Sequence, residues 1–166
     1  MKITKENIFS KGKIRKVNPN YFTGPVVARE ISKIKSPEHR VYHVTFKNGA
    51  RTKLHHHQGG QTLIVTNGLG NLVYYTRTGK GRSKFKIKKV EEIKLKLGDV
   101  AYISAKKLHT HGSINKNQTF SHIAINSSPI KNQEPKTVWF ESDFKNKVLK
   151  KLWKRDVAFH VIKKIT

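Results

Sequence analysis

Short segments of β-branched and aromatic residues fill the centre of the chain, and glycine or asparagine borders each of them. Asn48-Gly49 and Asn67-Gly68 are the clearest of these turn signals. Many short strands separated by such turns are typical of an antiparallel barrel or jelly roll. The pattern therefore predicts an all-β fold with these strands: Val41–Phe46, Leu63–Thr66, Leu72–Thr76, Val100–Ile103 and Phe120–Ile125.

Lysines alternate with apolar residues in a longer segment of the chain. Lys84–Lys88 and Ile93–Leu97 both place lysines on one face and apolar side chains on the other, as half-buried strands do. We expect a break between them at residues 89–92. The only predicted helix is a short C-terminal one, in which Asp143 caps Phe144–Leu152.

The size and composition of the chain set further limits. Its 166 residues suit a single domain. The absence of cysteine excludes disulfides, thiolate zinc sites and cysteine nucleophiles. The basic, polar start of the chain does not resemble a secretory signal, and no run approaches the roughly 18 apolar residues of a membrane span. We therefore expect a cytoplasmic protein with no membrane span.

The chain is strongly basic, with 35 Lys and Arg against 10 Asp and Glu and a formal net charge of +25. Such a charge first suggests nucleic acid or an anionic membrane as a partner. The lysines, however, are spread over strands, loops and tail, and no nucleic-acid motif accompanies them. We interpret them as a solvated surface and expect no nucleic-acid partner.

Histidines recur at spacings that suit a metal site. His55 and His57 are two apart at the end of a predicted strand, so both imidazoles point to one face. His109 and His111 repeat this spacing after a later strand, and His122 lies in the next one. An antiparallel barrel would gather these side chains inside one cavity. An exposed strand end is the alternative explanation for a lone His-x-His pair.

The first cluster resembles the first motif of the cupins. It runs Gly49, five residues, His55-x-His57, three residues, Gln61, six residues and Gly68, with Gln61 in place of the usual Glu. The second motif begins at Gly98 and reaches its histidine at His109. The resemblance covers about residues 20–145. It implies a cupin domain with a double-stranded β-helix or jelly-roll barrel. We expect a single domain over residues 1–166, in which the short basic C-terminal extension at 145–166 lies outside the resemblance.

Within the cupins, the chain is most similar to small bacterial members that include manganese-dependent hydroxynitrile lyases. The shared segments are Phe22-Thr23-Gly24, Gly49-Ala50-Arg51-Thr52, the run Gly60–Thr66, His109-Thr110-His111-Gly112, Ser121–Ile125 and Val138-Trp139. This resemblance implies a lyase acting on a small organic molecule, such as a cyanohydrin. It also implies a homodimer, with Ile14–Ile31 as a strand that the subunits would exchange.

The resemblance also assigns roles to residues. It makes His55, His57, Gln61 and His109 ligands of a divalent metal ion, with Mn expected and Fe, Zn, Ni or Co also compatible with such a set. His111 and His122 would be uncoordinated imidazoles suited to moving protons. Thr52 could hydrogen-bond a substrate hydroxyl.

Several alternatives remain open from the sequence. His111 and His122 could be core residues satisfied by the backbone, and Thr52 could be an ordinary strand residue. Three histidines with open coordination positions also hold iron in oxygen chemistry, so an iron-dependent dioxygenase is one alternative. A non-catalytic cupin that binds a metal or small ligand is another.

Overall fold

The computed structural model describes residues 5–9, 14–31, 36, 38–131, 133 and 135–153. Antiparallel strands dominate this part of the chain, with one 3-10 turn at Pro19–Tyr21. Within it, no helix has the length and apolarity needed to cross a bilayer. The strands are β1 (Ile14–Arg15), β2 (Val26–Glu30), β3 (His39–Phe46), β4 (Leu54–His57), β5 (Gln61–Asn67), β6 (Leu69–Thr78), β7 (Phe85–Lys96), β8 (Val100–Ile103), β9 (Leu108–Ser113), β10 (Phe120–Ser127), β11 (Thr137–Ser142) and β12 (Lys147–Leu152).

The strands form two antiparallel sheets, as the all-β prediction requires. The first sheet has the order β1-β2-β3-β10-β5-β8, and the second closes in the order β11-β12-β7-β6-β9-β4. The Asn48-Gly49 turn that follows β3 has positive φ at both residues, 53° and 74°, as the sequence pattern predicts.

Two clusters of buried apolar side chains form the hydrophobic core. The first lies between the sheets and joins residues of both, with Phe46, Phe120 and Leu72 fully buried. The second draws its members from the second sheet alone and fills the inside of that closed sheet around Leu54. Because side chains alternate along a strand, Leu108 of β9 packs in the second cluster and His109 lies on the opposite face of β9.

The predicted C-terminal helix at Phe144–Leu152 is wrong, because Lys147–Leu152 forms strand β12. Asp143 does cap a turn, but a tight one: its Oδ1 accepts hydrogen bonds from three consecutive backbone N–H groups, at residues 145–147. β12 then pairs with β11 and β7, which buries Val148 and Leu152 and leaves Leu149 43% exposed. The rest of the predicted extension, residues 154–166, lies outside the described residues.

The predicted break at residues 89–92 is a β-bulge instead. β7 runs without interruption, and its partner register shifts where Tyr74 faces Glu91 and Tyr75 faces Lys89. Val90 is the extra residue and is 60% exposed. A bulge inserts one residue and bends the strand, so it disturbs the apolar alternation without ending the strand.

Candidate metal centre

Three buried histidines meet at the junction of β4 and β9. His55 and His57 lie two apart on β4, so they share one face, and His109 pairs directly with His55 across the antiparallel ladder. The exposed fractions of the three residues are 1%, 5% and 0%. Their ligand nitrogens all lie within 4.8 Å of one another, so the three side chains could hold a divalent metal ion.

Hydrogen bonds fix the orientation of each ring. Nδ1 of His55 lies 2.9 Å from the Lys53 carbonyl, and Nδ1 of His109 lies 2.8 Å from the Lys107 carbonyl. A carbonyl only accepts, so both Nδ1 atoms carry the proton and donate it. These bonds leave the Nε2 lone pairs for a metal, which is how metal-binding histidines are usually held.

The third histidine depends on a side chain from another strand. Nδ1 of His57 lies 2.9 Å from the hydroxyl of Thr137 on β11. Among the described residues, Nε2 of His57 and Nε2 of His109 are buried without a hydrogen-bond partner. A buried polar atom without a partner is costly, so these orphaned nitrogens fit a site built to bind a metal ion.

Gln61 contributes an oxygen to the same cavity. It begins β5 after the Gly59-Gly60 turn, is 4% exposed, and lines one cavity with His55 and His57. Its Nε2 donates a 2.7 Å hydrogen bond to Oδ1 of Asn126, whereas its Oε1 is buried with no partner in the described part of the chain. The amide is therefore held with its acceptor oxygen available.

The protonation of the histidines suits cation binding. Burial, reinforced by the neighbouring His109, lowers the pKa of His57 to about 3. Burial likewise lowers the pKa of His109 to about 4 and places the pKa of His55 well below its usual value. All three rings are therefore neutral near pH 7, the form that binds a metal.

His111 and His122 form a buried pair beside this centre. Nε2 of His122 lies 3.2 Å from Nδ1 of His111, and the His111 ring centroid is 5.5 Å from that of His55. Burial lowers the pKa of His122 to about 3 and places the pKa of His111 well below its usual value. When both imidazoles are neutral, one of the two facing nitrogens carries a proton and donates it in a hydrogen bond to the other.

Thr52 is tied to His111 through the backbone. Its Oγ1 accepts a 2.9 Å hydrogen bond from the His111 N–H, and its own N–H donates to the His111 carbonyl at 2.8 Å. Thr52 is 2% exposed and lines the same cavity. The structure thus brings together all seven residues that the sequence singled out: Thr52, His55, His57, Gln61, His109, His111 and His122.

Comparison with known proteins places the chain in a family. No protein-family model matches it. The crystal structure of a cupin-like protein from Thermotoga maritima is 32% identical to it, with 82% of this chain and 90% of that chain covered and a TM-score of 0.57. This protein is a cupin.

Two further relatives add detail. A curated (R)-mandelonitrile lyase from Granulicella tundricola is 42% identical to this cupin over 82 residues, which are 49% of this chain and 52% of that one. The cupin therefore spans about half the length of the curated relative it matches. A cupin-2 domain from Rhodospirillum rubrum, at 11% identity and a TM-score of 0.52, shows the shared fold.

A cavity of about 1060 Å³ in this cupin is lined by six of these seven residues, all except His109. Trp139 on β11 forms part of the cavity wall, and its ring stacks on the His55 ring with the two centroids 4.2 Å apart. Trp139 also stacks on Tyr21, with the ring centroids 4.6 Å apart and an interplanar angle of 3°. This stack fixes the plane of the His55 ring in addition to its hydrogen bond.

Sequence reasoning gave no role to three supporting residues of the site, Thr137, Asn126 and Trp139, although Val138-Trp139 is one of the segments shared with related cupins. Asn126 was detectable in principle, because it follows His122 and Ala124 at the two-residue period of one strand face. Thr137 carries no local signal, since its role depends on its pairing with His57 across 80 residues of chain.

Proposed function

We propose that this cupin is a metal-dependent lyase that cleaves or forms a carbon–carbon bond next to a hydroxyl-bearing carbon of a small organic molecule. Cyanohydrin cleavage is the reaction we propose to test first, because a 42%-identical relative is a mandelonitrile lyase. The observation that carries the proposal is the buried His111–His122 pair, which lies beside the three histidines of the candidate metal centre.

The proposed ligands are His55, His57, Gln61 and His109, with manganese as the proposed ion. When bound, a divalent ion supplies Lewis-acid polarisation of a substrate oxygen. Because the proposed ligands include no carboxylate, the ion would keep its full positive charge toward that oxygen.

The His111–His122 pair would move the protons. The substrate hydroxyl gives its proton to the neutral pair, the C–CN bond breaks with its electron pair passing to cyanide, and the carbonyl forms. The pair then returns the proton to cyanide, which leaves as HCN. In this scheme the Thr52 hydroxyl accepts the hydrogen bond from the His111 backbone N–H and donates a hydrogen bond to the substrate oxygen, keeping its own proton throughout.

The test is cleavage of mandelonitrile by purified protein loaded with Mn²⁺, with metal content measured and benzaldehyde formation followed. We expect cleavage that EDTA abolishes and that His122→Ala lowers by about 10²-fold or more, the usual contribution of general acid–base catalysis. His39→Ala is the matched control, because His39 is exposed and its ring bonds the Ser127 hydroxyl, and neither residue lines the cavity. No cleavage by manganese-loaded protein would reject the proposal, and oxygen uptake with Fe²⁺ would indicate a dioxygenase instead.

A further inference from the structure

The candidate metal centre has a ligand set without negative charge. His55 and His109 each donate Nδ1–H to a backbone carbonyl, so their inward nitrogens are neutral. Gln61 offers an amide oxygen. A divalent ion held by these groups would keep its full charge of about +2. The inference that follows rests on the metal site of the proposed function.

The cavity around this centre supplies no compensating carboxylate among its described residues. Its described charged lining residues are all cations, namely Arg15, Lys16, Lys136 and Lys151. Glu134 is the acidic residue nearest to them along the chain and lies outside the described residues. The metal centre and the described charged residues that line its cavity therefore carry the same sign of charge.

A concentration of positive charge in a partly desolvated cavity favours an anion inside it. Removing an ion from water costs several kcal/mol unless an opposite charge accompanies it. Low-dielectric walls also focus the field of like charges within a cleft and raise the local concentration of counter-ions. A neutral ligand would leave the charge of the centre uncompensated, whereas the exposed cations Arg15, Lys16 and Lys136 keep their contact with water and add to the field that attracts an anion.

Arg15 is a cation of this cavity that an aromatic side chain orients. Its Nη1 donates a 2.5 Å hydrogen bond to the hydroxyl of Tyr42, and its guanidinium carbon lies 4.9 Å from the centre of the Tyr42 ring. Tyr42 itself lines the cavity. A guanidinium fixed on an aromatic ring presents its other N–H groups in the planar geometry that carboxylates match.

We propose that the ligand of this cavity is a small organic acid, whose carboxylate faces Arg15 and the neighbouring lysines while another of its oxygens faces the metal centre. The cavity of about 1060 Å³ is large enough for such a molecule. Trp139 and Tyr42 give it aromatic walls for the organic part of the ligand. The substrate class is then a small hydroxy acid, which shares with a cyanohydrin the hydroxyl-bearing carbon of the proposed reaction.

The test compares mandelate with mandelamide, which has nearly the same shape and no charge, by titration calorimetry on manganese-loaded protein. We expect mandelate to bind about tenfold more tightly or better. Arg15→Gln should lower this preference about fivefold, and Arg15→Lys should restore part of it. Lys86→Gln is the control, because Lys86 is an exposed cation on β7 outside the cavity.

Each result decides for or against the inference. A carboxylate also has affinity for a metal by itself, so a preference for mandelate that Arg15→Gln leaves unchanged overturns the role of Arg15. Equal affinity for the two probes, or no binding of either, overturns the substrate class. Displacement of mandelate by an equal concentration of inorganic phosphate would show a site for any anion and also overturn it. Failure to cleave mandelonitrile, with acid selectivity intact, rejects the cyanohydrin reaction and leaves this inference standing.

Discussion

Thr137→Val should weaken metal binding while leaving the fold in place. Thr137 pairs with His57 across the β4–β11 ladder, and its hydroxyl oxygen lies 2.9 Å from Nδ1 of that ring. Valine has nearly the same shape and the same β-branching, so the strand pairing should persist. When Nε2 of His57 is the metal ligand, Nδ1 carries the proton and donates it to the Thr137 hydroxyl, so the change removes the acceptor of that hydrogen bond.

The magnitude follows from the burial of His57, which is 5% exposed. An unpartnered Nδ1–H at such a site costs about 1–3 kcal/mol. The ring avoids that cost by moving its proton to Nε2, but a protonated Nε2 cannot bind a metal. Either outcome weakens the site, and loss of such a supporting hydrogen bond typically lowers metal affinity about 10–100-fold. This corresponds to roughly 1.4–2.7 kcal/mol.

The assay is a competitive chelator titration with Mn²⁺ and Zn²⁺, run beside thermal unfolding of each variant. Thr66→Val is the matched control, because Thr66 makes the same type of bond, 3.0 Å to Nε2 of His43, outside the candidate metal centre. We expect the control to keep its metal affinity. The reasoning would be refuted by unchanged affinity in Thr137→Val, or by an equal loss in both variants.

The remaining predictions concern pH, the ligand Gln61 and the turn before it. The metal-free protein should lose stability as the pH falls from 7 to 5, because His57, His109 and His122 become protonated near pH 6.5 in the unfolded chain but stay neutral in the folded one. Each histidine lowers the free energy of unfolding by at most about 1.4 kcal/mol per pH unit. Urea unfolding in EDTA measures this, and a free energy of unfolding that does not change with pH would contradict it. Gln61→Glu should tighten Mn²⁺ binding about tenfold by adding a carboxylate, and a chelator titration showing equal or weaker binding would count against Gln61 as a ligand. Gly59→Ala should lower the Tm and the metal content together, because the new Cβ would lie 2.0 Å from the Ser127 carbonyl oxygen; a variant with wild-type Tm would show that the turn relaxes freely.

Much of the fold was predictable because its signals are local. Val100–Ile103 begins and ends where the sequence pattern places it, and the Asn48-Gly49 turn has the positive φ values that its residues favour. The strand β9 was not predicted, because Leu108–Ser113 is rich in histidine and small polar residues rather than in strand formers. Its place between β4 and β6 makes it a strand.

The C-terminal strand shows why local patterns are ambiguous. Val148 and Leu152 are four residues apart, a spacing that puts both on one side of a helix and equally on one face of a strand. Pairing of β12 with β11 and β7 decides between them, because it satisfies backbone groups that a short isolated helix would leave to solvent. No local feature of the sequence reports that pairing.

The sequence by itself determined that His55 and His57 share one face, because side chains alternate along any strand. The resemblance of its spacings to the cupin motifs pointed to Gln61 and His109 as their companions. Only the tertiary structure decided how these side chains are held. Thr137 and Asn126 lie 80 and 65 residues from the groups they orient, and Trp139 reaches His55 through the β4–β11 pairing. Hydrogen bonds and ring stacking act only over a few ångströms. The number of residues between two positions in the sequence does not tell which of them the closed sheet brings within that distance.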